Sequence, residues 1–259
     1  MTDQRLSYGS YLRTRELLDL QTRLSEPAHH DELLFIIIHQ VYELWFKQVL
    51  HELVAAMDDL RAGDLLKVTR HLRRIHAVQH ILEQQVDVLE TMTPQEFNQF
   101  RDNLNPASGF QSMQFREIEF LCGLKKTDSF KHLEMDEQAR AKLEQRLSEP
   151  TLPDVLYAYL RTRGFAVDTH DERLESVRTI YDQSEQHYDL YLLLEDLIEF
   201  DERFLLWRGR HIRMVERMIG SKMGTGGSPG VAYLATTLDR KFFPELWEVR
   251  TLLGKGSYA

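Results

Sequence analysis

Cysteine, proline and glycine are scarce in this sequence of 259 residues, and each scarcity excludes a class of structure. Cys122 is the single cysteine, which excludes an intrachain disulfide and any zinc or iron–sulfur site built from several thiolates. The 7 prolines and 13 glycines leave few helix breakers, and five of the glycines fall between residues 220 and 230. The rest of the chain is therefore suited to long helices.

An excess of positive charge and long apolar runs are also missing. The formal net charge is −9, so the chain does not attract phosphate backbones and nucleic-acid binding is not expected. The longest apolar runs, such as Leu33 to Ile38, are too short to cross a bilayer, so no membrane association is expected. The N-terminal residues MTDQRLSYGS lack the regions of a secretion signal, and a cytoplasmic, reducing location is the default expectation.

Apolar residues recur at helical spacing almost throughout, without the alternation typical of strands. The segment 125–172 is the most polar and is predicted to be a helical insertion rather than a separate domain. Residues 1–259 are therefore predicted to form a single all-α domain, a bundle of long helices. The predicted helices cover residues 8–21, 31–60, 64–91, 94–104, 110–121 and 171–220, the last with one possible break, followed by a brief segment at 233–238.

One histidine, His211, lies on an apolar face of the last long predicted helix. A single histidine does not hold a bare metal ion well, but it can bind a haem iron from one side. The alternative is a core histidine that is hydrogen-bonded to a neighbour, which the helix alone favours. The other members of the face are apolar side chains at helical spacing: Phe204, Trp207, Met214, Val215 and Met218.

This helix ends at a loop rich in glycine, GTGGSPG, over residues 224–230. Glycine allows the backbone to approach a ligand closely and allows the loop to move. Thr225 within the loop could donate its hydroxyl to a small polar substrate. A phosphate-binding loop of the Walker type is excluded because its motif is absent. The alternative is a plain linker that terminates the helix.

A second histidine, His39, follows Phe35 by four residues in a strongly apolar stretch, so the two share a helix face. A histidine in such surroundings is predicted to be partnered or functional, because burying an unpaired polar group is costly. A satisfied core histidine is the alternative. A ferritin-like di-iron bundle fails, because the only Glu-x-x-His of the sequence, at residues 26–29, is interrupted by Pro27.

An arginine, Arg101, shares a predicted helix face with Phe97 and Leu104. Such an arginine can bind a carboxylate through two hydrogen bonds. The alternative is a surface arginine whose stem covers apolar area. Ser108 follows in a serine–glycine turn and is a candidate contact for an anion.

Several long segments in this order resemble the tryptophan 2,3-dioxygenase family, and the resemblance covers nearly the whole chain except the polar middle. It implies an all-α haem protein, with one haem b per subunit, assembled as a homotetramer. The implied reaction inserts both atoms of O₂ across the C2–C3 bond of the indole of L-tryptophan and gives N-formyl-L-kynurenine, the first step of the kynurenine pathway. The segments are HDELLFIIIHQ (30–40), FRDNLNPASGFQS (100–112), WRGRHIRMVERMIG (207–220), GTGGSPG (224–230) and FFPELWEVR (242–250).

The resemblance also implies roles for the candidate residues near the reaction. His211 is implied as the axial ligand of the haem iron. His39 is implied to hydrogen-bond the indole N–H, and orientation rather than obligatory proton abstraction is expected of it. Arg101 is implied to bind the substrate carboxylate and Thr225 to contact the amino-acid head group. Phe35 is implied to pack on the indole or the haem.

Other implied contacts surround these residues. Phe97 and Leu104 belong to the implied substrate pocket, and Phe97 replaces a tyrosine of some bacterial relatives, so Arg101 is expected to bind the carboxylate without help from a hydroxyl at that position. The implied haem contacts are Ser108, Trp207 and Met214. The N-terminal helix, residues 1–24, is implied to reach a neighbouring subunit, where Tyr8, Tyr11 and Leu12 close the pocket. The alternatives that remain are a haem enzyme for another indole, a haem-binding sensor and an inactive helical scaffold.

Overall fold

The structure, a computed structural model, describes residues 5–126, 137–227 and 230–254. These ranges contain helices, turns and loops but no strand, which confirms the predicted all-α class for this part of the chain. The helices are α1 (Tyr8–Leu12), α2 (Thr14–Leu18), α3 (Glu32–Arg61), α4 (Leu65–Leu89), α5 (Pro94–Phe100), α6 (Met113–Leu121), α7 (Glu137–Ser148), α8 (Leu152–Thr162), α9 (His170–Asp182), α10 (Tyr188–Ile219), α11 (Val231–Ala235) and α12 (Pro244–Glu248).

Three long helices form the centre of the fold. Helix α4 packs against α3 on one side and against α10 on the other. The turn between α3 and α4 is only three residues long, and Gly63 adopts a left-handed φ of 77° there. The Asp64 side chain then accepts a hydrogen bond from the Lys67 N–H and caps α4. The main core lies between these helices and includes the fully buried side chains of Leu53, Leu72 and Phe204.

The prediction of one continuous N-terminal helix over 8–21 is wrong, because the structure has two short helices there. Arg13 takes a left-handed conformation, with φ 52° and ψ 43°, and divides the segment into α1 and α2. Neither short helix has a buried residue, so no packing supports a continuous helix across this segment. The segment that follows is held on α3 by Glu32, whose carboxylate accepts hydrogen bonds from the N–H groups of Leu24 and Ser25 at 2.6 and 3.0 Å.

The possible break within 171–220 is present, because residues 183–187 separate α9 from α10. The polar segment 125–172 contributes to the interior where the structure describes it. Helix α8 packs against α3 and places Val155, Leu156 and Leu160 in the main core, and α7 packs against α6. Residues 127–136 of this segment lie outside the described ranges.

Helix α3 has the length and composition of a membrane-spanning helix, although no apolar run of the sequence predicts one. Core helices of water-soluble proteins meet the same criterion. Here α3 carries a buried carboxylate, Glu52, which is bound by His71 of α4 at 2.6 Å and by Arg74 at 2.7 Å. Its other inward-facing side chains, such as Val49 and Leu60, belong to the main core.

A buried aspartate fixes the chain after α11. Asp201 of α10 is fully buried and accepts hydrogen bonds from the Phe242 N–H at 3.0 Å, the Phe243 N–H at 3.1 Å and the Trp247 indole N–H at 3.0 Å. Burial raises the pKa of Asp201 in spite of these donors. The C-terminal aromatic segment is thereby attached to the middle of α10.

Candidate ligand cavity

A cavity opens between α3, α10, the segment 97–119 and the chain that follows α10. The structure brings nine of the candidate residues together in its lining: Phe35, His39, Phe97, Arg101, Ser108, Trp207, His211, Met214 and Thr225. Leu104 packs behind this lining, in the apolar cluster that contains Phe35 and Phe97. Tyr8, Tyr11 and Leu12 do not line the cavity of their own chain and are exposed.

His211 projects from α10 on one wall of the cavity. Its imidazole stacks on the indole of Trp207, with ring centroids 5.5 Å apart and planes 19° apart. Burial, together with the nearby His39, lowers the pKa of His211 to about 4, so the ring is neutral at neutral pH. No described residue forms a hydrogen bond with it, and its nitrogen lone pair is therefore available to a Lewis acid.

His39 projects into the same cavity from α3. Its Nδ1 lies 2.7 Å from the carbonyl oxygen of Phe35. A carbonyl oxygen only accepts, so Nδ1 carries the hydrogen of this bond. The protein atoms around the ring desolvate it and lower the pKa of His39, although the ring is open to the cavity and the Phe35 carbonyl and Glu43 act in the opposite direction. The neutral ring therefore has its Nε2 lone pair free to accept a hydrogen bond from a ligand.

Aromatic rings form the wall beside His39. The Phe35 ring lies 4.1 Å from the His39 ring and 5.7 Å from the Phe97 ring, measured between centroids. Phe100, which is fully buried, supports both phenylalanines from behind at 5.7 and 5.4 Å. Such an arrangement offers flat apolar surfaces to a planar aromatic ligand.

Arg101 lines the cavity near the end of α10. The shared helix face predicted for it is only partly right, because α5 ends at Phe100 and residues 101–104 form a 3-10 turn. One guanidinium nitrogen, Nη2, donates to the carbonyl of Met223, whereas the buried Nε has no hydrogen-bond partner. Within the described ranges no carboxylate pairs with Arg101, so its charge is available to an anionic group of a ligand.

Thr225 has a different hydrogen-bonding role from the one that its sequence position predicts. Its hydroxyl donates to the carbonyl of Ala107 at 2.6 Å, so the proton is already used within the protein. The hydroxyl oxygen retains lone pairs and can accept a hydrogen bond. The Thr225 oxygen is therefore suited to accept a hydrogen bond from an ammonium group of a ligand, and not to donate one to a carboxylate. Residues 228 and 229 of the same loop lie outside the described residues.

The cavity also contains charged residues that the sequence pattern does not predict. Arg116, Arg208 and Arg240 line it, and Arg116 and Arg208 are buried. Helical spacing does not reveal the burial of Arg208, because its partner, Glu119, comes from α6.

In the part of the chain that the structure describes, no group of three or more His, Cys, Asp or Glu side chains is arranged to hold a metal ion.

The fold and the cavity define a class of protein: an all-helical protein with an apolar ligand cavity that receives one neutral histidine from each of two long helices. Comparisons with known proteins identify the class further. The sequence model of the tryptophan 2,3-dioxygenase family matches residues 1–171 and 171–253. The chain belongs to the tryptophan 2,3-dioxygenase family.

Individual relatives agree with this assignment. A tryptophan 2,3-dioxygenase of Nocardioides sp. is 51% identical over 255 residues, which cover 96% of this chain and 95% of the relative. The protein of the same name from Herpetosiphon aurantiacus is 47% identical, with 95% of this chain and 98% of the relative covered. The one from Xanthomonas euvesicatoria pv. vesicatoria is 44% identical, with 96% and 88% covered.

The glycine loop packs closely on Ser108, which gives a first prediction. A Cβ atom at Gly226 would lie 2.5 Å from the Ser108 Cβ, so Gly226→Ala requires the loop to move away from residues 105–108. Relief of such a contact costs about 1–3 kcal/mol. We expect the KM for L-tryptophan to rise about tenfold, as measured by steady-state turnover.

The matched control is Gly209→Ala on α10, where the nearest atom to the added Cβ would be 3.9 Å away. This variant should keep the KM of the unmodified protein. An unchanged KM in Gly226→Ala, with an unchanged melting temperature, would show that the loop does not need its close approach to Ser108.

Proposed function

We propose that this protein is a haem-dependent tryptophan 2,3-dioxygenase, which inserts both atoms of O₂ across the indole C2–C3 bond of L-tryptophan and releases N-formyl-L-kynurenine. Family membership over nearly the whole chain supports the activity. The observation that carries the residue roles is a single cavity lined by two neutral imidazoles and a guanidinium without a carboxylate partner. The place of this reaction is the first step of tryptophan breakdown by the kynurenine pathway.

The cavity has the donor chemistry that a haem b requires. His211 offers a neutral imidazole without a hydrogen-bond partner among the described residues, and a porphyrin supplies the other four ligands of its iron. Trp207 and Met214 provide apolar surface beside that imidazole, and Ser108 lines the same cavity as a contact for the haem edge. When bound, the haem supplies the iron chemistry that activates dioxygen.

The remaining residues are suited to hold L-tryptophan in one orientation. The unpaired Arg101 nitrogens receive the carboxylate, and the Thr225 hydroxyl oxygen accepts from the ammonium group. His39 Nε2 accepts from the indole N–H, because Nδ1 already donates to the Phe35 carbonyl. Contacts at three separate parts of the substrate fix its position, which lowers the entropic part of the barrier.

Aromatic and aliphatic side chains complete this substrate site. Phe35 and Phe97 present ring surface for the indole, and Leu104 packs behind them. Phe97 has no hydroxyl, so no second hydrogen bond to the carboxylate comes from this position. Closure of the glycine-rich segment 224–227 would exclude water from the reacting atoms.

The proposed assembly is a cytoplasmic homotetramer. Tyr8, Tyr11 and Leu12 are 79%, 71% and 45% exposed in the single chain. Their helix has only five residues and no buried side chain, so it is not stabilised by packing within its own chain. Exposed apolar side chains of this kind are typical of an interface. A second copy that covers them would bring these side chains to a neighbouring cavity. Light scattering of the purified protein measures the mass: four chains are expected, and a monomer would contradict the assembly.

One absorption experiment separates the proposal from its alternatives. The reduced protein, reconstituted with haem, is titrated with L-tryptophan and then exposed to O₂. A Soret band that shifts with L-tryptophan, followed by the absorbance of formylkynurenine, is expected. A shift without product would indicate a sensor, and no haem uptake would leave an inactive scaffold. Product from another indole but not from L-tryptophan would indicate a different substrate.

The role of His39 gives a second prediction. His39→Ala removes one hydrogen-bond acceptor for the indole, so we expect kcat/KM to fall about tenfold while turnover persists. His30→Ala is the control, because the side chain of His30 is 99% exposed. Complete inactivity of His39→Ala with haem and tryptophan both bound would contradict an orienting role and favour proton abstraction.

A further inference from the structure

Two of the described residues that line the cavity are carboxylates, and they differ in their partners. Glu119 of α6 pairs with Arg116 and lies 3.4 Å from Arg208, so its charge is compensated within the protein. Glu43 of α3 is half-buried and forms no ion pair with a lysine, arginine or histidine of the described ranges. A partly desolvated charge without a counter-ion acts strongly on the polar groups near it, so the surroundings of Glu43 decide what it does.

A side chain from α6 fixes the carboxylate of Glu43. The Gln114 amide nitrogen, Nε2, donates to Glu43 Oε2 at 2.9 Å and to the Glu43 carbonyl oxygen at 2.7 Å. The amide is uncharged, so Glu43 keeps its negative charge while its side chain loses rotational freedom. The carboxylate is therefore a fixed charge at the cavity and not a mobile surface group.

His39 lies one helical turn before Glu43 on α3, and both line the cavity. Residues four apart on a helix share a face, with Cβ atoms about 5–6 Å apart. Desolvation lowers the pKa of His39, and the charge of Glu43 acts against it. A negative charge near the ring stabilises positive charge that the ring acquires, so it makes the Nε2 lone pair a stronger hydrogen-bond acceptor.

Charged groups on the other walls of the cavity do not replace Glu43 in this effect. His211 of α10 is neutral at neutral pH. Arg101 is positive, which would weaken the His39 lone pair as an acceptor, and it is placed to bind the carboxylate of the substrate. The charge of Glu119 is compensated by its two arginines. Among the described residues of the lining, Glu43 is therefore the negative charge that is left to act on His39.

We propose that Glu43 is a positioning residue for L-tryptophan that acts through His39, because its charge strengthens the hydrogen bond from the indole N–H to His39 Nε2. Gln114 holds this charge at a constant distance from the His39 ring. The proposal rests on the function given above, since L-tryptophan supplies the N–H.

The test compares L-tryptophan with β-(3-benzothienyl)-L-alanine, in which a sulfur atom replaces the indole N–H and the rest of the molecule is kept. The reduced, haem-loaded protein is titrated with each ligand in the absence of O₂, and the change in the Soret band gives Kd. Glu43→Gln should weaken the binding of L-tryptophan about two- to fivefold, as expected for a charge that acts on a hydrogen bond across one helical turn. It should leave the Kd of the benzothienyl ligand unchanged.

Two further variants show whether the effect passes through His39. In a His39→Ala background, Glu43→Gln should change the Kd of neither ligand, because the acceptor that it acts on is missing. Gln114→Leu should weaken L-tryptophan selectively but less than Glu43→Gln does, because the carboxylate is kept and only its position is released.

The matched control is Asp58→Asn. Asp58 is another carboxylate of α3, its side chain is 67% exposed, and it does not line the cavity. This variant should bind both ligands as the unmodified protein does.

Three results would overturn the proposal while leaving the proposed function intact. Equal weakening of both ligands by Glu43→Gln would assign Glu43 a structural role. The same loss of L-tryptophan binding with and without His39 would show that Glu43 does not act through that ring. Equal Kd values of the unmodified protein for the two ligands would show that no N–H bond is there to be strengthened. Absence of haem uptake or of turnover with L-tryptophan would instead contradict the proposed function, and this proposal with it.

Discussion

Replacement of His211 by alanine should remove haem from the protein and reduce turnover to background. His211 is the one imidazole of the cavity without a hydrogen-bond partner in the described ranges, and its lowered pKa keeps it neutral at neutral pH. Without it the porphyrin loses its ligand to the iron and keeps only its weaker contacts with the cavity lining. The expected result is a Soret absorbance per chain at least tenfold lower after gel filtration, with the helical circular dichroism unchanged.

Chemical rescue makes this prediction sharper. The His211→Ala substitution leaves space for an external ligand, so added imidazole should restore haem retention in part. His80→Ala on α4 is a suitable control, because His80 is exposed and does not line the cavity. Full haem retention by His211→Ala, at the same Soret position, would show that another group binds the iron.

The second large effect is expected at Arg101. Arg101→Gln should raise the KM for L-tryptophan by about two orders of magnitude, because removal of one member of a buried charge pair costs about 2–5 kcal/mol. Haem content should stay unchanged, since Arg101 lies near the chain that follows α10 rather than near His211. A lysine at this position should rescue little, because it cannot form the planar pair of hydrogen bonds.

Two substrate fragments separate the carboxylate from the ammonium group. Indole-3-propionate keeps the carboxylate and tryptamine keeps the ammonium. Inhibition by indole-3-propionate should weaken strongly in Arg101→Gln, whereas inhibition by tryptamine should change little. Thr225→Val should show the opposite pattern, because the Thr225 hydroxyl oxygen is proposed to accept from the ammonium. Equal losses for both fragments in Arg101→Gln would point to a general disturbance of the loop.

The long helices and the two histidines could be predicted from the sequence because their signal is local. Apolar residues at helical spacing determine α3 and α10, and the same spacing places His39 beside Phe35 and His211 beside Trp207. The break at Arg13 could not be predicted, because the helical spacing of apolar residues continues across 8–21. The structure shows that neither α1 nor α2 has a buried residue, so no tertiary packing supports a continuous helix.

Contacts between distant segments could not be predicted from the spacing of apolar residues. The donor role of Thr225 is decided by the Ala107 carbonyl, which lies 118 residues earlier in the chain. The cavity-facing position of Arg208 depends on Glu119 of α6, and that of Arg240 on the anchoring of residues 242–247 by Asp201. A pattern within one helix contains no information about these partners.

The two proposed head-group contacts also hold the glycine loop. Arg101 donates to the Met223 carbonyl and Thr225 donates to the Ala107 carbonyl, so both side chains join the loop to residues 101–107. Ligand affinity and loop stability are then thermodynamically linked, and the linkage is reciprocal. A substitution that loosens the loop without touching the substrate should lower the affinity for tryptophan. Bound tryptophan should stabilise the loop by the same coupling free energy, which is measured as slower hydrogen exchange of the loop amides.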